Sequence, residues 1–274
     1  MGPDERLPHR GAVMPRPSSR GWADGTLTLL ALAALLAWDA SGWDLTVVRW
    51  AGSGAGFVWR DSWWASRLLH DGGRWAAWLL LAALMVAALR APPAAATRPG
   101  DGPSRAERWR WIAVMLAAVL AVPALKRVSS TSCPWDLAEF GGVAAYVSHW
   151  HPGVLDGGPG HCFPSGHAVA AFAFFGLYFM WREYDPRRAH AWLAVVGVVG
   201  LAFGVVQGLR GAHYPSHTLW SAWLCWAINA VAARAPLGVG PSDVGLDVRR
   251  RVPHVQRQAQ GGHVIGIATQ DDLR

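Results

Sequence analysis

WAAWLLLAALMVAAL, residues 75–89, runs for fifteen residues without a charge. Stretches of this kind recur along the chain, and each reads as a membrane span of roughly 20 residues. The others are TLTLLALAALLAW (26–38), WIAVMLAAVLAVPAL (111–125), His167 to Trp181, about 191–209 and about 218–233. Tryptophans sit near their ends (Trp38, Trp43, Trp75, Trp109, Trp111, Trp181, Trp192, Trp220), as an interfacial belt requires. The first run lies between Asp24 and Asp39 and is as short as a signal-peptide core. No small-x-small cleavage site follows it, so a retained helix over roughly 22–43 is expected. The fold class is all-α, a polytopic membrane protein with six transmembrane helices.

The domain layout follows from composition. Residues 1–21, with Arg6, Arg10, Arg16 and Arg20, form a polar cytoplasmic tail. Residues 22–233 form the membrane domain. Residues 234–274 are polar and Gly-rich and read as a disordered cytoplasmic tail. The formal charge is +7, and Lys126 is the only lysine. The arginines fall between spans, notably in 90–110 and in REYDPRRAH, which is the bias of cytoplasmic loops. Basic charge so distributed speaks for a membrane and against a nucleic-acid partner. With basic loops inside and six spans, both termini are cytoplasmic. The loop 126–166 and the turn RGAHYPSH (210–217) then share the outer aqueous face.

Three polar clusters meet on that face. The first begins at Lys126, in KRVSSTSCPWDLAEFGG. The second is GHCFPSGHAVAAF (160–172), in which Pro164-Ser165-Gly166-His167 leads into an apolar helix. Helix-start N–H groups and the helix dipole favour an anion, Gly166 permits close approach, and Ser165 adds a hydroxyl donor. His167 stands at the edge of such a pocket with a pKa suited to proton transfer. The third cluster holds Arg210, His213 and His217. His213 is a candidate phosphorus nucleophile, with Arg210 one turn before it and His217 four residues on. Interfacial residues doing no chemistry are the alternative, but titratable groups are costly near hydrocarbon and three clusters on one face weigh against it. Lys126 fits as a phosphate-neutralising cation.

This set resembles the type 2 phosphatidic acid phosphatase (PAP2) superfamily, which includes bacterial acid phosphatases and vanadium haloperoxidases. Its pattern is K-x6-R-P, then P-S-G-H, then S-R-x5-H-x3-D. The resemblance spans roughly residues 22–233 and implies a PAP2/haloperoxidase-like helical bundle. It implies His213 as nucleophile, His167 as general acid, and Ser165 and Gly166 as phosphate contacts. Three positions depart from the pattern: Cys133 and Gln207 stand in place of arginines, and His217 in place of the aspartate. Arg210, and Arg127 beside Lys126, are displaced sources of positive charge. His217 or Asp136 is the candidate to orient His213. The combination of C-P-W-D-L with R-G-A-H-x-x-S-H is similar to a bacterial branch of the superfamily.

Cys133 and Cys162 both fall on the outer face, each beside a motif, whereas Cys225 lies inside span six. An oxidising compartment permits a Cys133–Cys162 disulfide, with two unpaired thiols as the alternative. His161 and His149-Trp150-His151 lack a zinc pattern, so no metal is expected. His70-Asp71-Gly72-Gly73-Arg74 reads as an outer turn before span two. The expected activity is hydrolysis of a lipid phosphomonoester or diphosphate through a phosphohistidine, at the periplasmic face of the bacterial inner membrane, without a cofactor. A lipid phosphotransferase using the same site, or a catalytically silent lipid-binding protein, are the alternatives. Neither the lipid nor the oligomeric state is legible.

Overall fold

The computed structural model describes residues 19–97 and 102–235. The tail expected at 234–274 lies outside them apart from its first two residues, as does most of 1–21. Helix α1 (Ser19–Ser41) is followed by a short α2 (Trp43–Arg49) and a two-stranded antiparallel hairpin, β1 (Gly52–Ser53) and β2 (Gly56–Phe57). A π-helical turn, Trp64–Gly72, runs into α3 (Gly73–Arg90), and α4 (Arg105–Arg127) follows. A long loop with two 3-10 turns, Pro134–Asp136 and Ala138–Phe140, then leads to α5 (Val169–Phe172). The 3-10 turn Ala173–Phe175 joins α5 to α6 (Gly176–Trp181); α7 (Pro186–Leu209) and α8 (Pro215–Arg234) complete the bundle. The described residues are 69% helix and 3% strand, which bears out the helical class.

Among the described residues, four helical stretches are long and apolar enough to cross a bilayer: Arg20–Ser41, Trp64–Arg90, Arg105–Arg127 and Pro186–Leu209. Their outward residues, such as Leu30, Leu79, Leu120 and Val198, are exposed. Apolar surface of that extent suits lipid rather than water. The two expected spans that do not meet the criterion are those carrying the second and third motifs. Val169–Trp181 is short, and nearly all of it is buried. Helix α8 buries Ser216, His217, Thr218, Ser221 and Asn229 and packs against α1, α4, α5 and α7. A helix sheltered by neighbours on several sides need not look apolar to lipid.

Why the bundle closes tightly can be read from small residues at the crossings. A Cβ on Gly200 would fall 2.2 Å from the Phe172 ring, and one on Gly204 would fall 2.3 Å from Thr218. Such positions let backbones approach, as is common where lipid rather than water surrounds the helices. Phe172, Met115, Val122 and Leu177 fill the interior so formed. At its opposite end, α4 starts with a reciprocal capping box: Glu107 N–H donates to Ser104 Oγ, and Ser104 N–H donates to Glu107 Oε2 at 2.8 Å. Such a cap contributes about 1 kcal/mol and fixes where the helix begins. Lys126 is thereby set in the last turn, 22 residues after the cap Ser104.

A second, smaller core of Val48, Phe57, Leu137, Phe140, Ala144 and Tyr214 underpins the long loop. It joins the hairpin to the start of α8. Gly211, with φ +72°, makes the turn between α7 and α8, and a Cβ there would strike the Phe57 ring. The stretch 44–74 is thus more ordered than an outer loop, with a helix, a hairpin and a π-turn packed beneath the third motif.

Candidate active site

Main-chain hydrogen bonds draw the three motif loops together. Trp135 N–H donates to the Gly211 carbonyl at 2.9 Å, Cys162 N–H to the Thr131 carbonyl at 2.9 Å, and Ser165 N–H to the His217 carbonyl at 3.1 Å. Ser221 Oγ closes the arrangement by donating to the Ser165 carbonyl at 2.9 Å. Asp156 staples the first loop, accepting from Ser132 N–H at 2.6 Å and Ser132 Oγ at 2.8 Å. The Phe163–Pro164 peptide is cis.

His213 sits at the centre, 2% exposed. Its ring centroid is 6.0 Å from that of His167 and 5.8 Å from that of His217. Burial, followed by the nearby His217, Lys126 and His167, holds its pKa well below the ordinary histidine value. The Cys162 backbone opposes that shift. A neutral imidazole is the form that keeps a lone pair for attack. Ser165 is fully buried, and its hydroxyl has no hydrogen-bond partner among the described residues. Such an orphan is costly unless a ligand satisfies it. Lys126 is half-buried, and its stem passes Gly166: a Cβ on that glycine would lie 4.0 Å from Lys126 Cδ. Among the described residues no carboxylate pairs with its ammonium. Lys126 and His167 thus lie near His213, and the buried Ser165 hydroxyl belongs to the loop that carries His167.

Other candidates are placed less centrally. Arg210 donates through Nε to the Arg60 carbonyl at 3.0 Å and through a terminal nitrogen to Gln207 Oε1 at 3.3 Å. Its guanidinium also lies over the Trp135 ring, 6.0 Å from the centroid. It thus engages Gln207, the residue standing where the family pattern has arginine. Asp136 accepts from the Cys133 N–H at 3.2 Å and caps its own 3-10 turn. His217 touches His213 edge-on without a hydrogen bond between them, and Tyr214, Phe163 and His149 surround its ring. Cys133 and Cys162 are joined by a disulfide with Cα atoms 5.2 Å apart. Cys162 Sγ lies 3.5 Å from His213 Nδ1. Among the described residues, Cys133, Cys162 and His213 are the one group of three with ligand atoms mutually within 4.8 Å, and its two sulfurs are bonded to each other.

Two buried aspartates support the site and escape a motif reading. Asp44 accepts from Ser216 N–H at 2.9 Å, from Ser216 Oγ, and from Trp38 Nε1 at 2.9 Å, and so caps the start of α8. Asp39 accepts from Trp220 Nε1 at 2.8 Å, Trp150 Nε1 at 2.9 Å and His149 Nε2 at 3.2 Å. His149 stacks on Phe163 with centroids 4.1 Å apart, just ahead of the cis proline. Burial lowers the His149 pKa and Asp39 opposes the shift. The available signal was two carboxylates at the outer end of an apolar helix, where a charge demands a partner.

A cavity of about 190 Å³ opens between α3, α4 and α5, lined by Arg74, Leu81, Met115, Pro123, Gly166 and Ala170 among others. Larger apolar clefts lie elsewhere, one of about 450 Å³ between α2, α7 and the start of α8 and one of about 510 Å³ between α1 and α8. The first cavity is lined by Gly166 of the P-S-G-H stretch as well as by apolar side chains of α3 and α4.

The fold defines a helical, membrane-type protein with buried histidines gathered where its three motif loops meet. Residues 108–238 match the family model of the PAP2 superfamily, which is consistent with a member of that superfamily. The match takes in all three motif loops, and members of this superfamily are generally phosphatases acting on phosphate esters. No curated protein and no solved structure matches the chain.

Proposed function

We propose that the protein is a lipid-phosphate phosphatase of the bacterial inner membrane, spanning it six times with its site on the periplasmic face. The observation that carries the reading is the closeness of His167 and Lys126 to His213, with the buried Ser165 hydroxyl, unpartnered among the described residues, in the same loop as His167. Lys126, Ser165 and the Gly166 backbone bind the phosphoryl oxygens, with Arg210 adding positive charge from the Gln207 side. His213 attacks phosphorus, and His167 protonates the leaving oxygen of the lipid alcohol. The P–O bond breaks as the P–N bond forms, giving a phosphohistidine. Water then attacks phosphorus with His167 as base, and inorganic phosphate leaves. His217 walls the nucleophile. The cavity ending at Gly166 lets a lipid chain stay in hydrocarbon while its phosphate reaches the site.

Phosphate release in detergent from a panel of phosphatidic acid, prenyl diphosphate and phosphatidylglycerol phosphate tests this. Wild type releases phosphate from at least one, and His213→Ala abolishes release. Equal release by the variant rejects the nucleophile. Loss of substrate without phosphate release, in the presence of an acceptor lipid, identifies a phosphotransferase. Lipid binding with neither reaction identifies a silent binder.

A further inference from the structure

His213 is held from behind by a sulfur. Cys162 Sγ lies 3.5 Å from His213 Nδ1 and 3.1 Å from the Ala212 carbonyl oxygen, and it is bonded to Cys133. Both the residue before the histidine and the ring itself therefore rest on one atom. Neither alternative orienting group takes this position. Asp136 is engaged with the Cys133 N–H, and His217 makes no hydrogen bond to the ring.

A disulfide sulfur carries no proton and can act towards an N–H only as an acceptor. A hydrogen bond across the Nδ1 contact thus runs from Nδ1–H to sulfur, which leaves the lone pair on Nε2. We propose that the Cys133–Cys162 disulfide is the positioning group of His213, fixing the Nδ1–H tautomer and presenting Nε2 to phosphorus where the family pattern uses a carboxylate. The inference rests on the reading of His213 as nucleophile. It also makes the site sensitive to oxidation state. A dithiol reductant passes two electrons and two protons to the bridge, giving two thiols, and itself closes to a cyclic disulfide. The freed Cys162 thiol then has a proton of its own. Donated to Nδ1, it drives the ring proton to Nε2 and removes the nucleophilic lone pair; donated to the Ala212 carbonyl, it leaves the ring unheld.

The test is nitrogen NMR of the full chain in detergent with 15N-labelled histidine, using His213→Ala to assign the signal. It compares oxidised protein, protein treated with a dithiol reductant in the presence of a metal chelator, and Cys133→Ser. Oxidised protein should show a protonated Nδ1 and an unprotonated Nε2, and both other samples should lose that pattern. In parallel, kcat should fall about 10- to 100-fold with KM changed less than about threefold, as expected when orientation and not substrate binding is lost. Reoxidation of the reduced wild type should restore both. A proton on Nε2 in the oxidised protein overturns the proposal. So does a His213 tautomer unchanged by reduction and by Cys133→Ser, even if the melting midpoint falls, because that is a purely structural bridge. If wild type releases no phosphate at all, the functional reading fails while the NMR arm still decides the tautomer.

Discussion

Replacing Asp44 by alanine should damage both stability and turnover, although Asp44 lies outside every motif. Its carboxylate takes three donors: Ser216 N–H and Trp38 Nε1, each at 2.9 Å, and Ser216 Oγ. Asp44 and Ser216 are both buried, so water cannot replace the lost acceptor. A hydrogen bond to a charged group contributes about 1.5–3 kcal/mol, and an orphaned buried donor costs about 1–3 kcal/mol. The three contacts form one network and do not add, so a loss of about 3–5 kcal/mol is expected. At about 2–4 °C per kcal/mol for a chain of this size, the melting midpoint in detergent should drop by about 6–20 °C. Because Ser216 opens α8 three residues after His213, a loosened cap also shifts the nucleophile, and kcat should fall about 10- to 100-fold. Asp44→Asn keeps one acceptor oxygen in place and should lose less than half as much stability. Asp61→Ala, at an exposed position, is the control and should stay within about 0.5 kcal/mol of wild type. An Asp44→Ala protein that melts within 2 °C of the Asp61→Ala control, at an order-of-magnitude threshold of about 0.5–1 kcal/mol, would refute the capping argument.

Lys126→Met should lower phosphate release by about 10²–10³-fold, the cost of removing a preorganised charge from a phosphoryl group. The same change should raise the melting midpoint, since among the described residues no carboxylate pairs with this half-buried ammonium; a variant both active and less stable contradicts that role. Stability should also fall on acidification below about pH 6.5, the unfolded histidine value. There the unfolded chain takes up a proton that the buried His213, and in part His149, resists, so the loss grows as pH descends towards their depressed folded values. Above that pH neither group contributes a slope. Midpoints measured from pH 7.5 down to 5 should show the decline and a shallower one in His213→Gln; a flat profile, or identical slopes, would count against a buried neutral His213.

The apolar runs made the helical membrane class plain, because charge-free stretches report directly on the solvent around them. Their number was harder to read. Val169–Trp181 and α8 are sheltered by other helices, so hydropathy says little about whether they cross the bilayer. His167 and His213, whose rings lie 6.0 Å apart, could be named as candidates from their residue type, the charge bias of the loops and the family resemblance. The supporting groups could not. Asp39 and Asp44 reach α8 across the fold, over separations that no local pattern encodes. Arg210 shows the complementary difficulty: one turn from His213 in sequence, it directs its hydrogen bonds to Arg60 and Gln207. The π-turn and hairpin between α2 and α3 were hidden because tryptophans, glycines and charges mix there without a period.

The contacts that gather the three loops are mostly between main-chain groups, from Trp135 to Gly211, Cys162 to Thr131 and Ser165 to His217. Such contacts are indifferent to which side chain a position carries. Cysteine and glutamine at the two positions where the family pattern has arginine therefore leave these main-chain contacts in place.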